Sequence, residues 1–106
     1  MKSGDFLEYL KGNVVLFDGA MGTELYNRGI FLNRCFDELN INRPQIVRDV
    51  HRAYLQAGAD VIETNTFGAN IFKLGPHGLG DQVEQINLQG AKIARAEAGS
   101  EHWVAG

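Results

Sequence analysis

Acidic and hydroxyl side chains follow two apolar segments of the chain. Asp18 comes directly after the apolar run 14–17, and Glu63 and Thr64 come after a second apolar pair at 61–62. In α/β folds, ligands bind beyond the carboxyl ends of parallel strands. Two strands that both end in carboxylates or hydroxyls therefore predict one shared pocket for a small polar ligand.

A glycine-rich turn follows the first carboxylate. Gly19 and Gly22 allow the backbone to turn sharply and leave amide N–H groups free to approach a small anionic group. An alternative is that Asp18 is a turn or cap residue that satisfies the backbone of Gly19 and Ala20. For Glu63, the alternative to a binding role is a salt bridge at the mouth of the pocket.

The sequence offers no metal-ligand pattern. Cys35 is the only cysteine, so neither an internal disulfide nor a multi-cysteine zinc site can form from this chain. We predict a buried or loop thiol there. His51 is predicted to lie on a helix as a surface or packing residue, and His77 and His102 have no partner at ligand spacing.

A helix is predicted to begin at Pro44, which is tolerated at a first helical position, and to end at Gly58. Its apolar residues recur at three- and four-residue spacing, which indicates one buried face. These residues are Ile46, Val50, Ala53, Tyr54 and Ala57. A second helix is predicted to start at Asp81 as N-cap, with Glu84 in capping-box position, and to stop at Gly99. Its predicted buried residues are Val83, Ile86, Ala91, Ala94 and Ala98.

The remaining segments are assigned from apolar runs and turn residues. Strands are predicted at 14–17, at 60–67 and at 102–106, with the first buried on both faces. A short amphipathic opening at Phe6, Leu7 and Leu10 and one or two helical turns at 24–28 are expected. The segment 30–43 is predicted as a loop with a turn around 36–39. The glycine- and proline-containing segment 69–80 is predicted to be a flexible connection.

The order β-α-β-α-β with parallel strands defines an α/β fold. The chain has 106 residues, whereas a closed (β/α)8 barrel needs roughly 250. Three strands would leave two sheet edges open, so we predict that the chain self-associates through them.

Composition excludes several classes of function. The net charge of −3 and the pI of about 5.5 give no electrostatic footprint for nucleic acid or for an anionic membrane. No signal-peptide pattern opens the chain, and no apolar run approaches the ~20 residues of a membrane span. Together with the single cysteine, these features predict a cytoplasmic protein.

Three stretches carry a family resemblance. Residues 18–23 (Asp-Gly-Ala-Met-Gly-Thr), 57–60 (Ala-Gly-Ala-Asp) and 63–70 (Glu-Thr-Asn-Thr-Phe-Gly-Ala-Asn) resemble the homocysteine S-methyltransferase domain, which opens cobalamin-dependent methionine synthases and is found in their relatives. The match is colinear from about residue 14 to 106. It implies that residues 1–106 are the N-terminal, truncated portion of a homocysteine-binding domain and form the first three β/α units of a TIM-type barrel.

The resemblance also implies an activity: transfer of a methyl group to the zinc-bound thiolate of homocysteine, which forms methionine. In the family, three cysteine thiolates from later barrel strands hold the zinc, so the isolated chain is expected to be inactive. By motif position, Asp18 would bind the substrate ammonium, and Thr64 with nearby backbone amides would hold its carboxylate. Glu63 would orient that site or contact substrate, and Gly19 would offer a backbone N–H. The family's methyl donors include methyltetrahydrofolate acting through cobalamin, S-methylmethionine and betaine, and no residue pattern here selects among them.

Two alternatives come from other classes of protein. The chain could be a non-catalytic binding or scaffold module that keeps only the fold elements. A lyase of the aldolase type would need a lysine at a strand end, and neither Lys73 nor Lys92 is predicted at one. The lyase is therefore disfavoured.

Overall fold

Short helices alternate with two strands in the computed structural model, which describes residues 5–106. The α-helices and strands are α1 (Phe6–Leu10), α2 (Met21–Asn27), α3 (Leu39–Asn42), α4 (Pro44–Gln56), β1 (Val61–Glu63), α5 (Ile71–Leu74), α6 (Val83–Ala98) and β2 (Trp103–Ala105). Single 3-10 turns occupy Phe36–Glu38, Gly75–His77 and Gly80–Gln82. No helix within the described residues is long and apolar enough to cross a bilayer.

The two strands are parallel neighbours, and α6 lies between them in the chain. Val61 is opposite Trp103 and Glu63 is opposite Ala105. Parallel strands need a crossover connection, which a helix usually supplies. The predicted α/β class, the parallel pairing and the strand near the end of the sequence agree with the structure.

The prediction of a buried strand at 14–17 is wrong. This run forms only a single parallel bridge, between Phe17 and Val61. The side chain of Val14 is 93% exposed, and Leu16 and Phe17 are about half exposed. The run borders β1 on one side, where the carbonyl of Leu16 accepts from the N–H of Val61 at 3.2 Å. Its apolar side chains are exposed because the elements within residues 5–106 leave much of its two faces uncovered.

Helix α4 begins at Pro44 as predicted and is followed by Gly58, whose φ of +112° favours glycine. Its inner face differs in detail from the prediction, because Ala57 is exposed and Val47 is buried. This face belongs to the largest buried apolar cluster, which contains Leu25, Ile30, Leu39, Val47, Val50 and Ile93. The cluster joins α4 to the middle of α6.

The predicted start of α6 is wrong. Asp81 lies in the 3-10 turn Gly80–Gln82, and α6 begins at Val83 with no side-chain hydrogen bond at its N-cap. Because the 3-10 turn leads straight into the helix, Gln82 takes the capping position that Asp81 was expected to fill. Ala91, predicted to be buried, is exposed, whereas Ile93 is buried.

The segment 69–80, which was predicted to be a flexible connection, forms α5 and 3-10 turns. Asn70 caps α5 by accepting from the N–H of Lys73 at 3.0 Å, and a 3-10 turn follows directly. Leu74 and Leu79 are buried against Ile86 of α6, so apolar anchors hold this glycine-rich segment on the core.

Three earlier segments also differ in detail from their predictions. Helix α2 begins at Met21, before the predicted start at Glu24, and the turn expected around 36–39 continues into α3. The amphipathic opening of the sequence forms α1. Its Phe6 and Tyr9 rings each lie 5.1 Å from the ring of Trp103, so α1 packs on β2.

Candidate functional site

Asp18 joins the end of the run 14–17 to the end of β1. Its backbone N–H donates to the carbonyl of Val61 at 3.0 Å. Its side-chain Oδ2 accepts from the backbone N–H of Glu63, also at 3.0 Å. The sequence predicted that these two ends would meet, and the structure brings them together.

A cavity of about 520 Å³ opens at this edge of the sheet. All four residues predicted for the site, Asp18, Gly19, Glu63 and Thr64, line it. Its volume lies within the range of about 300–1,000 Å³ that is typical of small-molecule sites. The structure thus places the predicted residues around one cavity large enough for an amino acid.

The Asp18 carboxylate is only partly satisfied. Its Oδ1 is buried and has no hydrogen-bond partner within residues 5–106. Burial raises the pKa of this carboxyl to about 6; the backbone N–H of Glu63 opposes the rise and the Glu63 carboxyl adds to it. A cationic group beside Asp18 would favour the charged form and would satisfy the orphaned oxygen.

Tyr54 of α4 holds the glycine turn in place. Its hydroxyl donates to the carbonyl of Ala20 at 2.8 Å. A Cβ atom built on Gly19 would lie 3.0 Å from that hydroxyl oxygen, so glycine permits this close approach. The sequence placed Tyr54 on the apolar face of the helix and gave no signal for its polar role, because its partner lies 34 residues away.

Thr64 and Glu63 present different groups at the cavity. The backbone N–H of Thr64 is taken by the carbonyl of Ala105 at 2.9 Å, which extends the pairing of the strands. Its half-buried hydroxyl lies 2.7 Å from the hydroxyl of Thr66. The Glu63 side chain is exposed. Thr64 therefore offers a hydroxyl rather than its amide, and Glu63 offers an exposed carboxylate.

Asp37 lines the same cavity and was missed by the sequence analysis. Its Oδ2 accepts from the backbone N–H of Gly68 at 3.0 Å. Burial raises the pKa of this carboxyl, against the lowering effects of that hydrogen bond and of nearby His77. A Cβ on Gly68 would lie 2.8 Å from Asp37 Oδ1, so this glycine also permits a close contact. The contact could not be foreseen because its partners are 31 residues apart.

The described residues do not fit the zinc site of the family. No group of three His, Cys, Asp or Glu side chains among residues 5–106 is arranged to hold a metal ion. Cys35 and His77 line the cavity, but within residues 5–106 they belong to no such group. Zinc bound by the intact protein would need ligands from outside the described part of the chain.

The remaining sequence candidates are a buried histidine and two lysines on helices, of which Lys73 lines the cavity. His51 is fully buried in α4 as a packing residue, one of the two positions that the sequence allowed. Lys73 lies on α5 and Lys92 on α6, so neither is at a strand end.

A parallel α/β fold with a carboxylate at its strand ends, facing a cavity of small-molecule size, is typical of α/β domains that bind small polar ligands. Residues 15–106 match the homocysteine S-methyltransferase family, and the chain belongs to that family. The resemblance seen in the three sequence motifs is thereby confirmed.

Two curated relatives are methionine synthases. The chain is 40% identical over 100 residues to the methionine synthase of Mycobacterium leprae and 39% identical over 100 residues to that of Mycobacterium tuberculosis. Each match covers 89% of this chain and 8% of the relative. The chain thus spans about one twelfth of the length of these enzymes.

Solved structures show the same likeness. The oxidized form of the homocysteine methyltransferase MmuM from Escherichia coli matches with a TM-score of 0.81 and 26% identity, over 97% of this chain and 40% of that one. The metallated form of MmuM matches with a TM-score of 0.74 and 29% identity, over 85% of this chain and 33% of that one. The fold described above therefore corresponds to part of a homocysteine methyltransferase.

Proposed function

We propose that the protein to which this chain belongs transfers a methyl group to the sulfur of homocysteine and forms methionine. In this proposal, residues 1–106 are the first three β/α units of its homocysteine-binding barrel and form the part of the pocket that holds the amino-acid end of the substrate. The family membership supports the reaction, and one observation carries the role of the chain: Asp18 lines the cavity with a buried carboxylate oxygen that no described residue satisfies.

Asp18 is the proposed partner of the substrate ammonium. An ammonium group beside Oδ1 would supply the missing donor and would offset the desolvation that raises the carboxyl pKa to about 6. The exposed Glu63 carboxylate lies at the same edge and would add to the negative potential there. Both carboxylates favour a cationic group at this end of the cavity.

Thr64 and the glycine turn are the proposed partners of the substrate carboxylate. The Thr64 hydroxyl is an available donor if Thr66 donates to it, because either oxygen of that pair can act as the donor. Gly19 lines the cavity without a side chain, so its backbone can approach an anionic group closely.

The transfer forms a bond between the homocysteine sulfur and the methyl carbon, breaks the bond between that carbon and its donor, and releases the thiol proton. The thiolate is the nucleophile, and a free thiol with a pKa of about 8.5 is mostly protonated at neutral pH. The described residues bind and orient the amino acid, and we assign the activation of the sulfur to no residue among them.

A titration with a matched pair of ligands tests this assignment. The isotopically labelled chain is titrated under reducing conditions with L-homocysteine and with 4-mercaptobutanoate, which lacks only the amino group. We expect homocysteine to shift the amide signals of Asp18, Gly19 and Thr64 and to bind about 10-fold or more tightly than the analogue, because a charge-assisted hydrogen bond is worth about 1.5–3 kcal/mol. Equal affinity for the two ligands would contradict the role of Asp18.

A further inference from the structure

Two buried asparagines bond to each other behind the cavity. Asn40 of α3 is 2% exposed and Asn65, which directly follows Thr64, is 6% exposed. The Asn65 side-chain N–H donates to Asn40 Oδ1 at 3.0 Å, and the Asn40 side-chain N–H donates to the backbone carbonyl of Asn65 at 2.8 Å. The two residues are therefore joined in both directions.

The same pair also bonds to two other elements. Asn40 Nδ2 donates to the carbonyl of Ile86 in α6 at 3.2 Å, and Asn65 Nδ2 donates to the carbonyl of Phe36 at 2.9 Å. Each amide group uses both of its donors, as buried polar groups require. The segment after β1 is thus tied to α3, to α6 and to the 3-10 turn that contains Phe36.

Gly90 allows α6 to reach this pair. A Cβ atom built on Gly90 would lie 2.8 Å from Asn40 Nδ2 and 2.8 Å from Cγ2 of Thr66, closer than real Cβ contacts come. Glycine inside a helix costs about 1 kcal/mol relative to alanine, so its presence in the middle of α6 has a packing reason.

We propose that Asn40 is a positioning residue that sets the place of Glu63 and Thr64 in the candidate site. Asn40 itself does not line the cavity, whereas Asn65, its partner, does. The backbone N–H groups of Glu63 and Thr64 are held at the sheet by Asp18 and Ala105. The hydrogen bonds of Asn40 and Asn65 hold the other end of this segment, which the sheet does not hold. The expected effect on homocysteine binding rests on the proposed function, whereas the expected effect on the positions of Glu63 and Thr64 does not.

Asn87 provides a matched control. Its Nδ2 donates to the carbonyls of Ala69 and Val83, both at 2.8 Å, so it also ties α6 to the segment after β1. Its partner Ala69 lies beyond Glu63 and Thr64. Loss of Asn87 should loosen the neighbourhood of Ala69 and leave those two residues in place.

The test compares Asn40→Ala with Asn87→Ala by amide hydrogen exchange and by homocysteine affinity. In Asn40→Ala we expect exchange at the amides of Glu63 and Thr64 to accelerate by about 10- to 100-fold relative to Ile62, as the loss of buried hydrogen bonds predicts. Homocysteine affinity should fall about 10-fold in Asn40→Ala and stay within about 2-fold in Asn87→Ala. A uniform acceleration across the sheet, or no acceleration, would show that Asn40 has only a general structural role and would overturn the proposal.

Gly90→Ala keeps the test decisive if Asn40→Ala does not fold. This variant retains every polar group and pushes a methyl group against Asn40 and Thr66. It should accelerate exchange at the same two amides, and adding Thr66→Ser, which removes Cγ2 but keeps the hydroxyl, should restore part of the protection. Unchanged exchange in Gly90→Ala would overturn the proposal.

The outcomes also separate this inference from the proposed function. If the chain does not bind homocysteine but the exchange pattern appears, the proposed function fails and the positioning role stands. If homocysteine binds equally well to the wild-type chain and to folded Asn40→Ala, the positioning role fails and the proposed function stands.

Discussion

The backbone N–H of Glu63 donates to the side-chain Oδ2 of Asp18 at 3.0 Å, which joins the ends of two chain segments that are 45 residues apart. The bond satisfies one oxygen of the carboxylate, whereas the buried Oδ1 has no hydrogen-bond partner among the described residues. The same contact therefore fixes the geometry of the site and keeps one acceptor available for a ligand.

Acid should destabilise the chain through His51. This side chain is fully buried, and neither ring nitrogen has a hydrogen-bond partner within residues 5–106. Burial lowers its pKa to about 4, although nearby Glu97, itself paired with Arg52 at 2.9 Å, acts in the opposite sense. Because the unfolded chain takes up this proton near pH 6.5, the free energy of unfolding should fall as pH drops from about 6.5 to 4, by at most about 1.4 kcal/mol per pH unit.

Urea denaturation at several pH values measures this effect. His51→Leu should flatten the pH dependence of the free energy of unfolding between pH 4 and 6.5. The same slope in His51→Leu and in the wild type would remove His51 as the cause.

The run 14–17 should pair with strands of other copies of the chain, so the chain should self-associate. The run 14–17 borders β1 on one side and exposes Val14 and Leu16. Exposed apolar edges pair with other chains, and a lysine on such an edge opposes this. Sedimentation velocity should show association that grows with concentration, and Leu16→Lys should reduce it. A monodisperse monomer at every concentration would contradict the prediction.

The isolated chain should hold no tightly bound zinc and should not methylate homocysteine. Its described residues contain no group of three ligands, and its single cysteine has no cysteine partner. Metal analysis of tag-free protein after dialysis should give far less than one zinc per chain. One retained zinc per chain, lost on substitution of Cys35, would prove this prediction wrong.

Local signals in the sequence predicted the regular elements best. Pro44 and Gly58 marked the two ends of α4 because their backbone preferences act on their own residues. The capping pattern at Asp81 predicted the wrong start of α6, because a 3-10 turn precedes the helix and a capping pattern cannot reveal such a turn. The run 14–17 was predicted wrongly because its burial depends on the elements that cover its faces rather than on its own composition.

In the candidate site, too, the sequence predicted some residues and not others. The four predicted residues meet at one cavity because each follows an apolar segment that ends at the same sheet edge. Their roles in binding remain predictions. Asp37 and the pair of Asn40 and Asn65 were not foreseen, because their contacts join residues 25 to 46 positions apart and leave no periodic pattern in the sequence.

The central claim is that Asp18 binds the substrate ammonium, and Asp18→Asn in the intact protein tests it most directly. Asparagine keeps the shape and the acceptor for the Glu63 N–H but removes the charge. The wild-type carboxyl has a raised pKa, so its stabilising effect is present below about pH 4 and is lost as pH rises through about 6. At pH 7.5 the variant should therefore unfold no more easily than the wild type.

Isothermal titration with homocysteine at pH 7.5, alongside urea denaturation of the same samples, measures both quantities. We predict that affinity falls about 10- to 150-fold, the equivalent of a charge-assisted hydrogen bond of about 1.5–3 kcal/mol, while the free energy of unfolding is maintained or increased. Unchanged homocysteine affinity together with reduced stability would contradict the account and would make Asp18 a turn residue.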